Sequence, residues 1–198
     1  MKDALSRQDV QRLRALDLKP GTLKYNARTI WLFSLYANGM RCEDVLLLQW
    51  SDLADGTLTY TAYQTEVRRK IKINRTMRLL LDPYSPRQAA SRFVFPYMDL
   101  ASHSELPTDT DTRLNVVIRQ LNSRLRAVQA TLGLSAPLTL HNARHTFARF
   151  LFEQTGDFER VQAALGHRQP ETTRQYLRTI RGLDVPAEDD APSQSSES

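Results

Sequence analysis

One cysteine, Cys42, stands alone in 198 residues, which excludes an internal disulfide framework and any thiolate metal cluster. Long apolar runs are also missing: none approaches the roughly 20 residues that a membrane helix needs. The N-terminal segment from Met1 to Gln8 lacks the apolar core of a secretory signal. A cytosolic protein with no membrane partner is therefore expected. Acid is in short supply, with 22 Asp and Glu against 27 Lys and Arg, and the shortage is uneven. Asp184, Glu188, Asp189, Asp190 and Glu197 all fall in residues 184–198, a stretch without Lys or Arg; setting it aside raises the net charge from +5 to +10. A body this basic implies a polyanionic partner, most simply nucleic acid, bound with salt-sensitive affinity. A solvated basic surface with no partner is the plainer alternative.

What is present is the composition of a folded domain, 41% hydrophobic and 25% charged. Residues 1–183 read as one domain, and the acidic, Ser-rich stretch 184–198 reads as a disordered tail. Ser6-Arg7-Gln8-Asp9 forms a capping box at the start of a short helix carrying Val10, Leu13 and Leu16. A second helix, 22–38, places Leu23, Ala27, Ile30, Phe33 and Ala37 on one stripe and ends at Asn38-Gly39. Two or three antiparallel strands follow Asp55-Gly56, with a hairpin near Gln64 to Arg69. Residues 83–96 read as irregular and 97–111 as a polar loop. Helices are expected at 111–132, 141–154, 157–165 and 170–180, punctuated by Gly133, Gly156, Gly166 and Pro170. The fold class is α+β, mainly helical with a small antiparallel sheet.

The chemistry is concentrated in 36 residues: His141-Asn142-Ala143-Arg144-His145, then Leu165-Gly166-His167, then Thr172-Thr173-Arg174-Gln175-Tyr176. Cleaving a phosphodiester gathers negative charge on the non-bridging oxygens, and a guanidinium answers it with a charged two-pronged donor. Arg41 and Arg144 are the clamp candidates, each near a helix start. Any one arginine alone is more simply a surface residue, but Arg144 lies three positions after His141, so one helical face carries both. His141 and His167 can donate to the phosphate or carry protons. Their plain readings are a core or capping imidazole. His145 reads as structural, facing a different side, and His103 sits in a loop without a signal. A zinc reading of His141 and His145 fails because no Glu intervenes and Arg144 repels a cation, so neither metal nor cofactor is implied. Tyr176 is the candidate nucleophile, its anion favoured by nearby guanidinium and imidazolium groups.

These residues resemble the tyrosine site-specific recombinases, or phage integrases. The motifs are Gly39-Met40-Arg41-Cys42-Glu43-Asp44, His141-x-x-Arg144, Leu165-Gly166-His167 and Tyr176, in the family's order over residues 3–180. The resemblance implies that Arg41 and Arg144 bind the scissile phosphate and that His141 and His167 assist. It implies that Tyr176 forms a 3′-phosphotyrosyl link while releasing a 5′-hydroxyl, and that Asp44 orients its neighbours. Site-specific recombination for a mobile element is the expected task.

Two departures accompany the resemblance. The family's hairpin lysine, a general acid, is matched here by Gln64, and an amide cannot release a proton. Lys70, Arg68 and Arg69 are the candidates to replace it or to contact DNA. The sequence starts where the family's catalytic domain starts, as either a cut-down fragment or a natural minimal form would; without the family's N-terminal clamp domain, weak, salt-sensitive DNA binding is expected. With only Leu177 to Val185 available to reach a neighbour, a monomer in solution that assembles on DNA is expected. A tyrosine-type topoisomerase and a catalytically silent DNA-binding regulator remain open as alternatives.

Overall fold

The computed structural model describes residues 3–99, 107, 109–180, 183 and 185. His103 and most of the acidic tail lie outside the described residues. Among the described residues eight α-helices are formed: α1 Arg7–Ala15, α2 Leu23–Tyr36, α3 Cys42–Leu47, α4 Arg75–Leu81, α5 Thr110–Leu132, α6 Asn142–Thr155, α7 Phe158–Leu165 and α8 Pro170–Arg178. Between α3 and α4 lie β1 Leu53–Ala54, β2 Thr57–Thr61 and β3 Arg68–Lys72, an antiparallel sheet in the order β1-β2-β3. Tyr60 pairs with Arg69, and Leu58 with Ile71.

Local chemistry accounts for most boundaries. The side chains of Ser6, Thr22, Asp109 and Asp157 each accept from the backbone N–H three residues on, so these helices start on a satisfied cap. Gly133, Gly156 and Gly166 close α5, α6 and α7. Pro170 occupies the first turn of α8, where no N–H is required.

The second helix corrects the stripe reading. Leu23 is exposed, whereas Ile30, Trp31, Phe33 and Leu35 are all buried, so α2 is enclosed on almost every side by α3, α4, α5 and α6. Its central position is tied to α6 by Trp31 Nε1, which donates to Asn142 Oδ1 at 2.8 Å. The stretch after the sheet is also more ordered than its prolines suggest. Asn74 caps α4, a helix the sequence reading did not contain, and a 3₁₀ turn covers Asp82–Arg87.

Two hydrophobic clusters share the load. The larger gathers α1 to α5 and the sheet, and the smaller joins Phe152 of α6, Val161 and Leu165 of α7, and Leu177 and Ile180. Phe147 packs against both. Leu183 and Val185 lean on the smaller cluster. No described helix is long and apolar enough to cross a membrane.

Candidate active site

Arg41 caps α3 immediately after the turn at Asn38 and Gly39. Gly39 has φ +66, and a Cβ there would meet the Phe147 ring at 2.8 Å. Only a residue without a side chain lets this turn close against α6. The closure matters because Gly39 O accepts from Arg144 Nη1 at 2.8 Å, while Leu165 O accepts from Arg144 Nη2 at 2.7 Å. Arg144, buried at 6% exposure, is thereby fixed between the end of α2 and the end of α7. Burial, with Arg41 adding repulsion, lowers its pKa to about 10, so it remains charged at neutral pH.

A cavity of about 160 Å³ opens beside it, with Arg41, Arg68, Arg69, Lys70 and Arg144 in its wall and no acid among the described lining residues. That space equals several water molecules at about 30 Å³ each, enough for a tetrahedral anion. Asp44 lies close by and is buried, which raises its pKa. Asp44 Oδ1 accepts from the Tyr63 backbone N–H at 2.7 Å and so holds the start of the hairpin turn.

The hairpin distinguishes the three basic candidates. Gln64 is exposed in the turn and is not in the cavity wall. Strand alternation puts Arg69 on the inward face with Ile71. Arg69 Nη1 donates to Ala163 O of α7 at 3.1 Å, and its guanidinium lies over Gly166, where a Cβ would land 1.3 Å from Nη2. Gly166 is therefore required twice, for φ +72 and for the space that Arg69 fills. Two guanidiniums, from Arg69 and Arg144, cap the carbonyl end of α7, where the helix dipole favours cations.

Tyr176 lies outside that wall, against two imidazoles. Its ring meets His167 edge-on at 5.4 Å between centroids and His145 at 5.3 Å. Thr173 Oγ1, 3.0 Å from His167 Nδ1, sets the orientation of that ring. His145 corrects the sequence reading: it does not face away. Its Nδ1 contacts the Tyr176 hydroxyl, and its ring meets His141 edge to face at 4.7 Å. The i, i+4 spacing of His141 and His145 already places both on one face, and it is the signal that could have found this cluster. His141 itself is exposed at the N-cap of α6.

The phenol departs from expectation in its electrostatics. Arg144 and Arg41 do favour the anion, but burial outweighs them and the pKa is pushed up to about 12. At neutral pH the hydroxyl is protonated, and a proton must leave before or during any attack.

Comparison with known proteins follows the same outline. Residues 4–181 match the family model described as Phage integrase family. Tyrosine recombinase XerC of Lactobacillus leichmannii is 30% identical over 177 residues, 84% of this chain and 54% of that protein. Tyrosine recombinase XerD of Listeria innocua is 25% identical over 152 residues, 74% and 48% of the two chains. The chain spans about half the length of these curated relatives. A lambda integrase dimer bound to a COC′ core site superposes with a TM-score of 0.63 at 21% identity, covering 94% of this chain and 51% of that one. The lambda integrase catalytic core gives 0.56 at 21% identity, covering 84% and 92%. Those two likenesses speak for the fold, helical with a three-stranded antiparallel sheet, and the match along residues 4–181 speaks for descent: the chain belongs to the phage integrase family.

Proposed function

We propose that this chain is the catalytic domain of a tyrosine recombinase, cleaving and rejoining double-stranded DNA at specific sites through a 3′-phosphotyrosyl intermediate. The observation that carries the reading is the placement of Tyr176 between two imidazoles and within Coulomb range of Arg144 and Arg41, which border an acid-free cavity. In this reading Arg41 and Arg144 hold the non-bridging oxygens of the scissile phosphate, and His141 and His167 donate to it. Arg69, with Arg68 and Lys70 behind it, adds positive charge where the family has a lysine. Tyr176 Oη attacks phosphorus, the 5′ oxygen departs, and the energy of the broken bond stays in the phosphotyrosyl ester. The chemistry asks for neither cofactor nor metal.

Residues 1–183 then form one catalytic domain, with its task in the cytoplasm on the DNA of a mobile element; the match to the Phage integrase family model supports the mobile-element reading. A monomer that assembles on DNA is supported by Leu177, Ile180, Leu183 and Val185 packing on their own domain.

The test is trapping on a pool of nicked duplexes, in which the short 5′ fragment diffuses away after cleavage. A detergent-stable protein–DNA adduct is expected, and Tyr176→Phe abolishes it while leaving non-covalent binding unchanged. An adduct that persists in Tyr176→Phe places the nucleophile elsewhere. Binding without any adduct favours a silent regulator on the same scaffold.

A further inference from the structure

We infer that His145 is the base that takes the proton from Tyr176 as the tyrosine attacks, an inference that rests on the proposed reading of the site. The described contacts set His145 Nδ1 directly against the phenol oxygen. His167 approaches the same ring edge-on, with its own Nδ1 turned to Thr173. His141 meets the His145 ring and is open to solvent. His145 and His141 therefore form a path of two imidazoles from the phenol to water, with His145, at 5% exposure, as its inner member.

Helix geometry explains why one short motif can serve two tasks. Successive side chains on a helix diverge by roughly 100°. Arg144 turns toward Gly39 and Leu165, and the next residue, His145, turns toward α8 and Tyr176. The anion clamp and the base are thus fixed to the same turn of α6, and their relative position does not depend on a loop.

The chemistry needs such a group. The Tyr176 phenol is protonated at neutral pH, and an imidazole, with an ordinary pKa of about 6.5, is matched to accept its proton there. As the Oη–P bond forms, the Oη proton moves to His145 Nδ1. The P–O5′ bond breaks, its electron pair leaves with the 5′ oxygen, and that oxygen takes a proton from solvent. In rejoining, the 5′-hydroxyl attacks phosphorus and gives its proton to solvent, the Oη–P bond breaks, and the imidazolium returns its proton to Oη.

The experiment uses the whole chain and a pool of duplexes randomised around one 5′-bridging phosphorothiolate. The thiolate leaves without needing a proton, so the adduct rate reports activation of the nucleophile alone. His145→Asn keeps an acceptor near the phenol but cannot hold a proton. Wild type is expected to react at a rate that is flat from pH 7 to 9. His145→Asn is expected to be on the order of 100-fold slower at pH 7, rising about tenfold per pH unit as solvent takes over. A variant that matches wild type, or that is slower with the wild-type profile, overturns the inference, because a merely structural role leaves the profile flat. No adduct from wild type overturns the proposed function instead. Where His145→Asn does not fold, histidine ¹⁵N spectra of the unliganded protein decide: Tyr176→Phe is expected to shift the Nδ1 resonance of one imidazole. Imidazole resonances unmoved by Tyr176→Phe overturn the inference.

Discussion

The helical side of the site, α6 to α8, and the strand side, the β2–β3 hairpin, both deliver guanidiniums to the end of α7, but they hold them differently. Arg144 is buried at 6% exposure and spans two carbonyls from distant parts of the sequence, Gly39 O and Leu165 O. Arg69 reaches across from a partly exposed strand position, makes one carbonyl bond, and rests its fork in the space above a glycine. On the helical side, charge and fold are the same structure, because a buried guanidinium and its acceptors depend on each other. On the strand side a long arm carries charge to a scaffold that stands without it.

Removing Arg144 is the hardest test of that difference. Arg144→Ala is expected to slow adduct formation by about 10²–10³-fold, the usual loss for one fixed oxyanion donor. It also leaves Gly39 O and Leu165 O without their donor, at a cost of about 1–3 kcal/mol of stability in urea unfolding. An Arg144→Ala protein as stable as wild type would break the comparison. Arg69→Ala, measured the same way, is expected to cost about tenfold in rate, equivalent to one charge-assisted hydrogen bond, with stability changed by less than about 0.5 kcal/mol. Gly166→Ala joins the two sides. It puts a Cβ at φ +72 and into the Arg69 guanidinium, for an expected loss of about 1–2 kcal/mol. In Gly166→Ala/Arg69→Ala the collision is gone and the backbone strain remains, so part of that loss returns. Strict additivity of the two single changes would mean that Arg69 does not lie over Gly166 in solution.

The same contrast decides what could be read in the sequence. The helices from α5 to α8 were legible because caps, closing glycines and a 3.6-residue period act locally, and Asp109, Gly133, Asp157 and Pro170 each fall where local chemistry requires. Helix α4 was missed because it begins directly after a strand, with Asn74 as its cap and no turn to announce it. The stripe drawn on α2 was too narrow, since burial on every side erases amphipathic contrast. The contact of His145 with Tyr176 is not legible in the sequence, because what lies opposite it on α8 is set by how α6 to α8 pack and not by α6 itself. The hairpin defeated the reading most completely. Alternation tells which face Arg69 occupies, but its partner, Ala163, is 94 residues away in sequence.

The smallest expected effect probes how dry the helical side is. Burial pushes the Tyr176 phenol up to about 12, above the unfolded reference of about 10. The fold therefore favours the protonated form: the stability this group contributes is complete below pH 10 and is lost as pH rises through 12. Between pH 8 and 11 wild type is expected to lose about 0.5–1 kcal/mol more than Tyr176→Phe, allowing for partial solvent screening. Urea unfolding of both proteins at the two pH values reads the difference. The subtraction is necessary because Tyr60, also pushed up to about 12 by burial, titrates in the same window in both proteins. Parallel losses would mean that water reaches the phenol in solution. His145 and His167 would then border an open site, and the distinction between a buried helical side and an exposed strand side would hold for Arg144 but not for the nucleophile.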